Sequence, residues 1–143
     1  MLDALAKVPP DKATADLGSS FPSLLGTLNH VYLAELVWFK RLQGENARLA
    51  DLPIPASPGA LAKSWPELHQ LWLQWADAFS DDQWRDPFSF RNNTGAESVM
   101  PYWQIVMHVV NHGSYHRGQF TTLLRQSGLS APGTDLLTYY RTR

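Results

Sequence analysis

Apolar residues recur at helical spacing in three stretches of the chain. Between Ser20 and Leu42 they fall at Leu24, Leu25, Leu28, Val31, Tyr32, Ala34 and Leu36, with Gly44 just beyond, a pattern that predicts an amphipathic helix ended by glycine. Ser19 or Ser20 is the expected N-cap, with Pro22 accommodated in the first turn. Ser64-Trp65-Pro66-Glu67 fits a capping box and predicts that a second helix starts there, with Leu68, Leu71, Trp72, Trp75 and Phe79 on one face. A last helix is expected to open at Pro101 and to run through the histidine-bearing segment to the stop at Gly128.

The segments between them read differently. Residues 43–64 hold three prolines and few periodic positions, which predicts a long connection with room for a short helical turn. Phe88, Ser89, Phe90 and Arg91 alternate apolar with polar before Asn92-Asn93-Thr94-Gly95, the signature of a short hairpin or loop ahead of the last helix. Leu2–Val8 predicts a stunted first helix cut off at Pro9-Pro10, and the tail from Ala131 onward is expected to be extended. Four helical segments with long connections predict an all-α fold, an irregular four-helix bundle, formed as a single domain over residues 1–143.

Charge and composition then exclude several classes. Twelve basic and thirteen acidic residues leave a net charge of −1 with no basic run, so no nucleic-acid footprint is present. With no cysteine, disulfides, thiol nucleophiles and thiolate metal sites are excluded, and any metal must be held by histidine and carboxylates. No apolar window reaches the ~18 residues of a membrane span and no leader pattern opens the chain, so a soluble, cytoplasmic protein with no membrane association is expected. Six Trp, six Phe and five Tyr predict an aromatic core, to which Trp65, Trp72, Trp75, Trp84 and Trp103 are assigned.

The chemistry concentrates in histidine. Three of the five, His108, His112 and His116, are spaced four apart on the last helix and share one stripe. His108 and His116 lie about 12 Å apart along the axis and cannot both bind an ion whose ligands sit at roughly 2.1 Å, so at most two of the three can share one. A further ligand must come from His30, which faces the bundle interior on the first long helix, or from His69, which is expected at the surface. His30 can equally be a core histidine bonded to a backbone carbonyl, and the spaced pair a solvated face. His108 is read as a packing or pocket residue, and Glu35 with Arg41 either as a solvated face or as groups supporting His30, the former being favoured. Ser114 and Tyr115 complete no nucleophilic triad, and no glycine-rich phosphate loop exists.

Taken together, LNHVYLAELVWFKRLQG, FSFRNNTGAESVMP and MHVVNHGSYHRGQFTTLLRQSG resemble the DinB/YfiT family from about Leu17 to the end of the chain, the most specific piece being NHGSYHRGQ. The resemblance implies a four-helix bundle of that family's topology and a divalent ion, nickel or zinc, held by His30, His112 and His116. It also implies a homodimer, while His108, Glu35 and Gln119 are read from their positions in the sequence as candidate supporting or pocket residues, Gln119 hydrogen-bonding within the bundle. Because similar proteins have a longer first helix, it implies that this chain starts partway through that helix, with a partner able to supply the missing wall. Some members of the family transfer low-molecular-weight thiols such as bacillithiol. The leading expectation is therefore a metal-dependent enzyme that activates a thiol or water for attack on a small organic electrophile, as an S-transferase or a hydrolase. A metal- or ligand-binding stress-response protein without turnover is the alternative, and a purely structural bundle is the third.

Overall fold

The computed structural model describes residues 1–141. Six α-helices and one hairpin follow in the order α1 (Leu2–Ala6), α2 (Pro10–Thr14), α3 (Leu24–Leu42), α4 (Pro58–Asp77), β1 (Pro87–Arg91), β2 (Glu97–Pro101), α5 (Tyr102–Gln126) and α6 (Leu136–Arg141). Helices α3, α4 and α5 form the body of an irregular bundle, and the broken pair α1 and α2 closes its fourth side, α1 against α4 and α2 against α3. The core threads through all of them, from Leu5 and Ala13 through Leu24, Leu28 and Val31 to Leu61, Phe120 and Leu124.

Helix starts depart from expectation in three places, each beside a proline. Helix α3 is capped by Ser23, whose Oγ accepts from Gly26 N at 2.9 Å, rather than by Ser19 or Ser20. A residue before proline is driven out of the helical region, so Phe21 cannot belong to the first turn, and the Ser19 hydroxyl donates to the Phe21 carbonyl instead. Helix α4 begins seven residues earlier than the Ser64 box suggests: Ser57 accepts from Ala60 N at 3.1 Å and Pro58 sits at the first helical position. Pro66 is thus tolerated inside the helix, and Ser64 is a mid-helix residue whose hydroxyl donates to Ala60 O at 3.1 Å. At the N-terminus Pro9-Pro10 interrupts the helix but also restarts it, Pro10 opening α2.

Two further expectations are corrected. The tail is not extended throughout, since Leu136–Arg141 form α6; its last two residues lie outside the described ones. Of the five tryptophans assigned to the core only Trp65 is buried there, and Trp103 is 47 % exposed. Trp72, Trp75 and Trp84 are half-buried. With Phe79 and Tyr102 they form an aromatic cluster at the rim of the core, Trp75 tilted on Phe79 at 4.5 Å and Phe79 edge-on to Tyr102 at 5.0 Å, which ties the end of α4 to the start of α5. Leu71, likewise expected on the inner face of α4, is 46 % exposed. Leu61, Trp65 and Leu68 carry the buried face of α4, which packs on both α1 and α3, and Leu71 lies off it.

The connection from Gln43 to Ser57 contains the expected short turn, a 3-10 segment at Leu49–Asp51. The hairpin pairs Phe88 with Met100 and Phe90 with Ser98, and Asn92 Oδ1 closes its turn by accepting from Thr94 N and Ala96 N. Gly95, at φ 85°, supplies the left-handed residue that this turn requires.

The two serines make a clean test of where α4 starts. Ser57→Ala should cost about 1 kcal/mol of unfolding free energy in urea titrations, whereas Ser64→Ala should be neutral or slightly stabilising, because only Ser57 satisfies an orphan N–H at the helix end.

Candidate functional site

The site lies where α3 and α5 approach most closely. Gly113 on α5 is buried against α3; a β-carbon there would meet Val31 Cγ1 at 3.8 Å, an ordinary contact, and would crowd only the flexible guanidinium of Arg117 on its own helix, at 3.0 Å. Val31 neighbours His30, and Gly113 lies between His112 and His116, so this contact sets the three imidazoles against one another. His30 Nε2 is 3.0 Å from His112 Nε2, and His116 Nε2 is 3.1 Å from the same atom. The donor atoms of all three fall within 4.8 Å of one another, so the group could hold a metal ion.

The nitrogen positions fit that role. Two nitrogens each about 2.1 Å from one ion lie roughly 3.0 Å apart at a right angle and about 3.4 Å apart in a tetrahedron, which brackets the lower end where both measured separations fall. Without a proton or cation among them, three lone pairs at that spacing would repel.

Supporting contacts fix the ring orientations. Gln119 Nε2 donates to Tyr115 Oη at 3.1 Å, which leaves Gln119 Oε1 to accept from His116 Nδ1 at 2.7 Å. A neutral His116 is thereby held with its Nε2 lone pair toward the other two rings. Phe21 stacks on His30 at 3.8 Å between ring centroids and meets the His116 ring edge-on at 5.4 Å, forming an apolar roof. Burial, then the neighbouring charges of His116 and His112, lowers the pKa of His30 to about 4. Burial likewise lowers that of His112 to about 4, aided by His116 and His108 and opposed by Glu35. Both rings are therefore neutral at pH 7, the form that ligates metal.

The other expected residues divide. Gln119 contacts the cluster directly. His108 is exposed, packs edge-on against Trp38 at 5.7 Å, and lines a cavity of about 420 Å³ shared with His30 and His112. Glu35 and Arg41 do not form the solvated face that was favoured: they are 8 % and 5 % exposed. Glu35 accepts from Trp65 Nε1 at 2.6 Å and His69 Nε2 at 3.0 Å, tying α3 to α4, and hydrogen-bonds none of the three clustered histidines. His69 is outward-facing as expected, its side chain 54 % exposed, and stands apart from the cluster. A second, more apolar cavity of about 660 Å³ opens on the other side of His30, against Phe21, Leu33, Leu49 and Ile54. Phe21 carried no signal in the sequence, since it precedes the helix and obeys no period; the turn-forming Phe-Pro-Ser at the helix entry is the only hint.

Three imidazoles from two facing helices, flanked by open cavities, define a class of helical-bundle proteins with a potential tri-histidine metal centre. Within that class, the DinB family model matches residues 1–143, and the chain belongs to the DinB family. It is 29 % identical to protein DinB of Bacillus subtilis (strain 168) over 143 aligned residues, 94 % of this chain and 82 % of that protein. Protein YrdA of the same organism is 31 % identical over 83 residues, 58 % of this chain and 47 % of its own. A solved structure of a DinB-like protein from Bacillus cereus ATCC 10987 shares the fold with a TM-score of 0.70 at 21 % identity, covering 94 % of this chain and 87 % of the other. No helix among the described residues is long and apolar enough to cross a membrane.

The lowered pKa values fix a pH dependence for the metal-free protein. As pH falls below 6.5 the unfolded chain protonates these two imidazoles, while the folded protein leaves them neutral until about pH 4. The unfolded state then binds more protons, so stability should decline from about pH 6.5 and level off below about pH 4. Urea midpoints across pH 4–7 should show this loss, and it should shrink in His30→Phe.

Proposed function

We propose that the protein is a metal-dependent enzyme in which His30, His112 and His116 hold one divalent ion, nickel or zinc, and in which a thiol or water attacks a small organic electrophile. The observation that carries this reading is the convergence of the three imidazoles, two of their nitrogen separations being 3.0 and 3.1 Å, beside two open cavities. A divalent ion held by three neutral imidazoles keeps its full charge, leaves positions open, and makes a coordinated thiol or water a stronger acid.

The chain's own residues supply the rest. Gln119 holds the His116 tautomer, and the Phe21 ring shields His30 from water on one face. His108, one turn before His112 on the wall of the same cavity, can accept the proton released when the nucleophile ionises. In a thiol transfer the S–H proton passes to that acceptor or to solvent, a C–S bond forms, and the bond to the leaving group breaks with its electron pair. A two-substrate reaction needs two approaches to one centre, and His30 borders both cavities. All three proposed ligands come from one chain, so a homodimer, if formed, is not needed to complete this site.

A second reading, a metal-binding protein without turnover, draws on one feature: no carboxylate among the described residues hydrogen-bonds to the three histidines. Turnover decides between the two.

Plasma mass spectrometry of the purified protein should find about one equivalent of nickel or zinc, lost in both His30→Ala and His116→Ala. Loaded protein should then convert thiol plus electrophile, or an activated ester, in a chelator-sensitive way. Absence of metal after loading would sink the metal reading, and stoichiometric metal with no turnover would favour the binding protein. Gln119→Leu should keep the fold but weaken metal affinity by about 10- to 100-fold, as seen when a ligand's hydrogen-bonding support is removed; competition with a chromophoric chelator would measure it.

A further inference from the structure

Among the described residues, Arg41 is the one strongly buried cation whose partners are all neutral. It lies eleven residues after His30 on α3, three turns along and within about 20° of the same direction, so both side chains border the cavity of about 420 Å³ between α3, the hairpin and α5. The residue is 5 % exposed. Its Nε donates to Ala47 O at 3.0 Å and its Nη2 to Asn93 Oδ1 at 2.6 Å, while its carbon centre sits 5.0 Å over the Trp38 ring. Nη1 donates to nothing among the described residues.

The neighbouring carboxylates are engaged elsewhere. Glu45 pairs with Lys40 at 2.7 Å, Asp51 with Arg48 at 2.9 Å and Glu97 with Arg91 at 2.9 Å. Burial alone moves the Arg41 pKa, downward, with no acid to counter it. Guanidinium nonetheless stays charged at any physiological pH, so the fold sustains a desolvated positive charge without a counter-ion. Two neutral acceptors and the Trp38 face fix its plane, and the residue borders both this cavity, which also carries Ser98 and Gln104, and a second of about 420 Å³ that carries Glu45, Arg91 and Glu97. Such a planar, pre-oriented donor is suited to an oxyanion.

We propose that Arg41 is the specificity-determining residue of this cavity and binds the oxyanion, carboxylate or phosphoryl, of a small organic ligand whose other end reaches the three histidines. The location of that other end rests on the metal-centre reading above; the oxyanion site itself does not. An acidic thiol or acidic electrophile is thus selected over its neutral counterpart, because only the acid neutralises the buried charge.

The test uses three probes: 3-sulfanylpropanoate, its carboxamide, and 2-sulfanylethylphosphonate. In metal-free protein, the Nε–Hε resonance of Arg41 should shift and saturate with the carboxylate, the phosphonate or both, and stay put with the carboxamide. Which acid acts identifies the oxyanion. In cobalt-loaded protein, the thiol-to-metal absorption band should report about tenfold tighter binding of the acting acid than of the amide, the scale of a charge-assisted contact. Arg41→Gln should abolish that preference and Arg41→Lys should restore part of it, with circular dichroism checking the fold. Equal affinities for acid and amide in the wild type, or an unmoved Arg41 resonance, would overturn the proposal without recourse to any variant. A shifted resonance in a protein that takes up no metal would keep the oxyanion site and sink the metal centre, and metal binding without acid preference would do the reverse.

Discussion

The approach of α3 to α5 at Gly113 is the constraint from which the site follows. Donors on two separate helices can converge to 3.0 Å only if the backbones come close enough for short imidazole side chains to meet, and the packing of Gly113 beside Val31 holds the helices at that range. A glycine inside a helix costs roughly 0.5–1 kcal/mol relative to alanine, and α5 carries two, Gly113 and Gly118. The cost is offset by the packing immediately beyond, where Phe120, Leu123 and Leu124 of α5 lock against Leu24 and Leu28 of α3. The same helix pair therefore anchors the core at one end and opens into cavities at the other.

Charge is arranged along α3 with the same division of labour. Glu35 turns toward α4, where an indole and an imidazole satisfy it. Its hydrogen bonds stitch two helices together, and its field reaches His112 only as a counterweight to burial. His30 and Arg41 turn toward α5 and the hairpin, where burial keeps the imidazole neutral and leaves the guanidinium without an acid. One helix thus presents a structural anion on one face and two groups free for a ligand on another.

Much of this was legible in the residues. The 3.6 period located α3 and α5 closely, the glycines at 44 and 128 marked their ends, and the polar run around Asn92–Gly95 marked the hairpin turn. The spacing of His108, His112 and His116 limited a shared ion to two of them, because helix geometry is local. What failed was non-local. A capping box at Ser64 is a strong local signal, but packing of Leu61 against the core extends the helix backward to Ser57 and overrides it. Glu35 and Arg41 looked solvated because their partners lie 30 and 52 residues away, at Trp65 and Asn93, and no period encodes a contact of that length. Phe21, outside any helix, reaches His30 only because Pro22 turns the chain there.

That pattern of failure carries its own argument. Charged residues buried on an otherwise apolar helix face break the local rule that helices hide carbon and expose charge, and in a folded chain each such break requires compensation. Glu35 is compensated within the protein by Trp65 and His69. The clustered imidazole nitrogens have only one another, Arg41 Nη1 has no partner among the described residues, and His30, His112 and Arg41 border the same cavity. Under the two proposals above, a cation among the imidazoles and an oxyanion at the guanidinium would supply that compensation. A ligand that meets both would gain interactions that folding alone leaves unmade, and in these proposals that gain is the source of its affinity.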